Sequence, residues 1–166
     1  MKGVLRVMFR PAALRIAALV AVLCTTVLAA ERLTAENAWV PWAPPAIKVH
    51  AAYLTIVNRS NVDHVILGAE SPDYERVELH GSSIRDGLNV MRSLDRIAVP
   101  ANKQVAFEPG GLHVMLINPK RTYGVDDRIR LVLRLGSGDQ IETSAVVRRR
   151  APGNDVQHHR HHGSHQ

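Results

Sequence analysis

The chain of 166 residues has a single cysteine, Cys24. It lies within an N-terminal stretch that reads as a removable export signal, so the mature protein is expected to carry no thiol. That excludes disulfides, thiol nucleophiles and thiol reductases, even in a compartment that permits them. Cys24 is also a poor lipidation site, because Leu23 stands where a small residue is needed. No serine lies in a G-x-S-x-G nucleophile-elbow sequence. There is no three-turn amphipathic pattern in the mature part, no internal repeat, and no basic stripe interleaved with aromatics of the kind that binds nucleic acid.

Lys2, Arg6, Arg10 and Arg15 give the first fifteen residues four cations and no acid, and an apolar run follows from Ile16 to Ala30. A basic head, an apolar stretch and small residues at its end are the three parts of a secretory signal. Val27-Leu28-Ala29 suits cleavage after Ala29 or Ala30. The alternative is an uncleaved anchor, although the run is shorter than the roughly 20 residues of a membrane span. Cleavage removes four positive charges and no negative one, lowering the formal net charge from +6 to +2. The basic balance therefore belongs to targeting, and Arg148-Arg149-Arg150 reads as a solvated strand end. About 136 residues remain, enough for one domain with a core.

The remainder is patterned for strands. Ala51–Val57 is rich in β-branched residues, and Arg76-Val77-Glu78-Leu79-His80 alternates polar with apolar. Further strands are expected at Val65–Leu67, Leu88–Ser93, Gln104–Phe107, His113–Ile117, Arg128–Leu135 and Ile141–Val147. Turn residues separate them: Ser71-Pro72-Asp73, Asp86-Gly87, Pro100-Ala101-Asn102, Pro109-Gly110-Gly111, Asn118-Pro119 and Gly136-Ser137-Gly138-Asp139. Short strands at this spacing predict an antiparallel sandwich or barrel over residues 31–150. Trp39-Val40-Pro41-Trp42-Ala43-Pro44-Pro45 reads as a proline-stiffened opening segment whose tryptophans cover the core.

Beyond the signal there are two methionines, Met91 and Met115, and four histidines ahead of residue 151: His50, His64, His80 and His113. Four of these six fall into one pattern: His80, ten residues, Met91, twenty-one residues, then His113-x-Met115. Residues two apart on a strand share a face, so His113 and Met115 point the same way. His80 and Met91 flank an expected hairpin. A four-residue loop, Ile84–Gly87, puts Met91 opposite His80, and a two-residue loop at Asp86-Gly87 puts it opposite Ser82; in both cases the two side chains share a face. Two readings stand here. Methionines fill cores and histidines are common satisfied polar groups. Alternatively, thioethers with imidazoles and no thiolate form a soft, uncharged set suited to Cu(I), whereas carboxylates would suit calcium or magnesium.

This spacing, with Glu78-Leu79-His80 and Pro109-Gly110-Gly111-Leu112-His113-Val114-Met115 around it, resembles the PCuAC-type periplasmic copper chaperones. Ala38-Trp39, Pro44-Pro45 and Ala51-Ala52-Tyr53-Leu54-Thr55 are similar to that family's opening segment, and the likeness covers roughly Asn37 to Val147. The resemblance implies a cupredoxin-like antiparallel β-sandwich of Greek-key type. It also joins the two local pairs into one surface Cu(I) site of His80, Met91, His113 and Met115. It implies a monomeric periplasmic carrier, not an enzyme, that delivers copper toward a haem–copper (cytochrome c) oxidase beside a Sco-type partner. One departure is Gly81-Ser82-Ser83-Ile84, where family members often carry extra methionines.

Competing readings are a non-metal periplasmic β-sandwich that binds proteins and a hydrolase with His80 or His113 as base near Asp86 or Asp95. The hydrolase lacks a nucleophile and an oxyanion site. A zinc enzyme is disfavoured, since catalytic zinc takes His with carboxylate or Cys.

Residues 151–166 contain Pro152, Gly153 and five histidines, with no apolar residue beyond Val156. This composition predicts a disordered tail. His158, His159, His161, His162 and His165 are candidates for a second site taking Cu(II) or zinc with little geometric selectivity. Copper(II) titration of a chain ending at Arg150 tests it: the expected outcome is a lower stoichiometry than that of the full chain, and an unchanged stoichiometry would remove the tail from the metal chemistry.

Overall fold

The computed structural model describes residues 33–85 and 87–152, and the predicted signal and the histidines of the tail lie outside them. Among the described residues there is no helix. Ten strands follow one another: β1 (Leu33–Pro41), β2 (Val49–Asn58), β3 (His64–Glu70), β4 (Tyr74–Arg85), β5 (Leu88–Ser93), β6 (Ile97–Val99), β7 (Gln104–Phe107), β8 (Leu112–Pro119), β9 (Arg128–Leu135) and β10 (Gln140–Arg148). They form one ladder in the order β5-β4-β8-β7-β2-β1-β10-β9-β3-β6, with β2 also pairing β8. The ladder folds over on itself as a β-sandwich around a single core.

Period-2 patterning drives this. On β9, Ile129, Leu131, Leu133 and Leu135 are buried, while Arg128, Arg130 and Arg134 on the other face are exposed. Ala52, Leu54 and Ile56 of β2 do the same from the facing layer, joined by Leu79 of β4 and by Val114 and Leu116 of β8. Each fully buried Leu, Ile or Val contributes roughly 1.5–3 kcal/mol, so the layers are held together by alternate residues while the remaining residues face outward.

The ladder is not purely antiparallel, as expected from the sequence, because β1–β10 and β7–β8 pair in parallel. β1 makes this possible. Its register on β2 shifts between Glu36 and Trp39, where Asn37 takes φ 54°, a left-handed conformation that Asn tolerates. After this bulge Trp39–Pro41 pair with Val146–Arg148 of β10, so β1 bridges the two halves of the ladder.

The core covers assigned to the two tryptophans divide. Trp42 packs against the buried cluster with the Arg149 guanidinium 4.5 Å from its ring centre. Trp39 does not join that cluster. It is buried all the same, 9% exposed, alternating with Val40 and packing against Tyr53 with ring centres 5.1 Å apart.

Asn58 ties the end of β2 to the opposite layer. Its amide nitrogen donates to the carbonyls of Val62 (2.9 Å), Val99 (3.0 Å) and Pro100 (3.0 Å), and its Oδ1 accepts from the Ser60 backbone N–H (2.9 Å) and hydroxyl (2.7 Å). The residue is 1% exposed, so removing the amide strands several buried partners. Asn58→Ala is expected to lower unfolding free energy by about 2–4 kcal/mol, measured by urea denaturation; a loss below about 0.5 kcal/mol would contradict this role.

Candidate metal centre

Three adjacent strands, β8, β4 and β5, carry the candidate ligands on their outward face. The β4–β8 register places His80 directly opposite His113 and Glu78 opposite Met115. Side chains of directly paired residues share a face, so these four stand together on one side of the ladder. Core-facing Leu79 and Val114 lie between them on the other side. The His80 and His113 ring centres are 5.7 Å apart.

The β4–β5 hairpin has the two-residue loop, since Arg85 pairs with Leu88 and Gly87 takes φ 76°. Met91 is accordingly opposite Ser82 rather than His80, two positions along the same face. It is 51% exposed, whereas Met115 is half-buried. Parity thus puts all four predicted residues on one face. His50 and His64 are elsewhere: His50 Nδ1 is bonded to the Tyr74 hydroxyl at 2.6 Å, and His64 Nε2 is 3.2 Å from the Ser60 hydroxyl. His158, His159, His161, His162 and His165 lie outside the described residues.

Each site imidazole is held at one nitrogen. The Gly111 carbonyl lies 3.2 Å from His113 Nδ1 and also accepts from the Ser82 N–H at 3.0 Å. Glu78 Oε2 lies 2.8 Å from His80 Nε2, and its Oε1 is 3.0 Å from Arg76 Nε. His80 Nδ1 is buried and has no hydrogen-bond partner. His113 is 4% exposed. Burial holds its imidazole below the usual histidine range; the Gly111 carbonyl opposes that shift and the neighbouring His80 adds to it. A neutral imidazole with one nitrogen anchored offers the other as a lone pair, which is how metal-binding histidines are normally presented.

Among the described residues no three His, Cys, Asp or Glu side chains gather into a metal-sized cluster. An ion held by four side chains on this face would therefore draw on the thioethers, the chemistry of a soft cation.

The sequence reading missed several neighbours. Tyr53 sits where β2 leaves β8 for β7, between the Ala52–Val114 and Leu54–Phe107 pairs. Its ring centre is 6.4 Å from that of His113, and burial raises its pKa. With Trp39 it forms an aromatic wall beside His113. Glu78 was visible as a residue two positions before His80, which strand parity places on the same face. At Gly81 a Cβ would meet Leu94 Cδ1 at 3.2 Å and Leu112 Cδ2 at 3.6 Å, on the face away from His80, whereas Ser82 and Ile84 share the face of His80 and carry no sulfur. A side chain at 81 would crowd the core side and could not serve this face.

Known proteins share this outline. The LpqE-like family model matches residues 33–147. The chain belongs to the LpqE-like family. Protein RP573 of Rickettsia prowazekii (strain Madrid E) is 27% identical over 123 residues, covering 70% of this chain and 68% of that one. Lxx21020 of Leifsonia xyli subsp. xyli, named as a lipoprotein, is 24% identical over 120 residues, covering 72% and 71%. Among solved structures, apo DR1885 from Deinococcus radiodurans superposes with a TM-score of 0.57 at 27% identity, over 72% of this chain and 80% of that one. Its Cu(I) form gives 0.56 at 26%, over 70% and 78%. The copper-bound PCuAC domain from PmoF2 gives 0.59 at 21%, over 70% and 92%. This LpqE-like chain thus has the PCuAC fold, the cupredoxin-like sandwich that the resemblance implied.

A buried nitrogen without a partner costs stability. His80→Leu in the metal-free LpqE-like protein removes that nitrogen and leaves Glu78, which is 32% exposed, to be hydrated. The variant is expected to be as stable as wild type within about 1 kcal/mol, or more stable, by urea denaturation. A loss of about 3 kcal/mol would make His80 a structural residue.

Proposed function

We propose that this protein is an exported metallochaperone that carries one Cu(I) ion on His80, Met91, His113 and Met115 and passes it on by ligand exchange. The observation that carries this reading is the facing imidazole pair, with His80 Nδ1 buried and unpartnered, on a face shared with the two thioethers. The likeness to the Cu(I) form of DR1885 and to the copper-bound PmoF2 domain supports it.

The ligand set explains why copper would be cargo rather than a permanent centre. Two imidazoles and two thioethers are uncharged and soft, matched to a monovalent ion, and lack the thiolate that would bind it too firmly. Met91 is half exposed while His113 is almost fully covered. An acceptor's ligands would displace Met91 first, then reach the inner groups, so affinity falls in steps and the fold need not open. No bond of an organic substrate is made or broken, and the proposed role is not enzymatic.

On this reading the protein works in the periplasm after cleavage near Ala29 or Ala30. The acceptor is a copper-receiving haem–copper oxidase subunit or a Sco-type copper protein, a destination supported by the PCuAC resemblance. The tail histidines His158, His159, His161, His162 and His165 would be a secondary site for Cu(II).

Anaerobic Cu(I) titration against a chromogenic chelator tests the site. Wild type is expected to take one tightly bound equivalent. Met91→Ala/Met115→Ala should weaken it on the order of 100-fold or more, with the metal-free unfolding midpoint little changed. Equal tight binding by both proteins would reject the site and leave a non-metal binding module as the reading.

A further inference from the structure

Arg76, Glu78 and His80 alternate along β4 and therefore share its outward face. They form a chain of contacts in which each Glu78 oxygen has one partner: Arg76 Nε on Oε1 at 3.0 Å, His80 Nε2 on Oε2 at 2.8 Å. We infer that Glu78 is a positioning residue, which fixes His80 in the Nε2–H tautomer and so makes Nδ1 the ring's lone-pair donor to the ion. The inference rests on the proposed Cu(I) reading of this face.

The argument is one of donors and acceptors. A carboxylate oxygen only accepts, so the nitrogen at 2.8 Å must carry the hydrogen. A neutral imidazole has one N–H, which leaves Nδ1 as a bare lone pair. Protonating both nitrogens would bury a second N–H with no acceptor, because Nδ1 has no partner. The His80 side chain is 13% exposed, too little for water to make good that loss freely.

His113 is set the opposite way. The Gly111 carbonyl also only accepts, so it holds Nδ1–H and leaves Nε2 as the lone pair. The two facing histidines then present different ring atoms. Nδ1 lies next to the side-chain attachment and keeps an ion close to β4. Nε2 lies at the far end of the ring and reaches from β8. Arg76, 66% exposed, bonds the second oxygen and so biases the carboxylate toward the orientation that meets His80.

The tautomer can be read without metal. In long-range 15N–1H spectra of the 15N-labelled metal-free protein, the His80 signals are identified by their loss in His80→Gln. Wild-type His80 is expected to show the Nε2–H pattern and His113 the Nδ1–H pattern. Glu78→Gln, whose amide oxygen can still accept, should retain the His80 pattern. Glu78→Leu should lose it to a mixture and weaken Cu(I) binding about 10- to 100-fold, with little change in the metal-free unfolding midpoint. An Nδ1–H pattern for wild-type His80, or an unchanged tautomer and affinity in Glu78→Leu, would overturn the inference. Failure of wild type to bind Cu(I) would instead remove the proposed function, a result separable from the tautomer read in the metal-free protein.

Discussion

The register between β4 and β8 is the constraint on which the site depends. Because side chains alternate across a strand, sliding β4 by one residue would turn His80 and Glu78 into the sandwich and expose Leu79. What resists that slip is apolar: Leu79 is 3% exposed in the core that it shares with Val114 and Leu116 of β8, and turning it outward would forfeit roughly 1.5–3 kcal/mol of burial. The core residues therefore hold the functional ones in place, although none of them touches an ion. The same ladder sets the rest. The Arg85–Leu88 pairing that closes the hairpin fixes where Met91 falls, and the fork of β2 between β8 and β7 fixes Tyr53 beside His113.

This face is kept at some cost to stability. A sandwich gains nothing from a His that is 4% exposed, or from a second imidazole with a buried nitrogen left unpaired. Asn58, by contrast, has partners on both ends of its amide, and among the described residues the other buried side-chain nitrogen without a partner is His50 Nε2. His50 lies away from this face, bonded to Tyr74 through Nδ1; on the β4–β8 face the open lone pair stands beside a second imidazole, that of His113. Burial meanwhile holds His113 below the usual histidine range, so at neutral pH its lone pair is not occupied by a proton.

Much of this was legible in the chain. Eight strands were readable because alternation and turn residues mark them locally, and β5, β7 and β9 have the very ends expected. β1 and β6 were not. β1 is broken by a bulge at Asn37 and filled with Trp and Pro, and its parallel partner lies more than a hundred residues away at Val146–Arg148. Three-residue β6 is too short to show a period. Parity correctly put His113 with Met115, and His80 with Met91 under either even loop, but it could not choose the two-residue loop. Nor could local rules bring β4 beside β8, which is a tertiary pairing; that step came from the family resemblance. Trp39 is buried as expected, at 9% exposed, but its alternation with Val40 puts that burial against Tyr53 rather than in the central cluster.

The sheet order bears on how such a carrier could let go. From β8 through β4 to β5 the ladder runs toward its edge, and exposure rises along that path, from 4% at His113 to 51% at Met91. On the proposed reading an ion spanning these strands is walled by Tyr53 and Trp39 on the β2 side and is open toward β5. Approach is thus asymmetric: an incoming ligand meets a single neutral thioether on a two-stranded hairpin before it meets either anchored imidazole. Ligands of that kind exchange without breaking a buried charge pair. The order in which the ligands would be surrendered is then a property of strand order, set by the same pairing that brings His80 to His113.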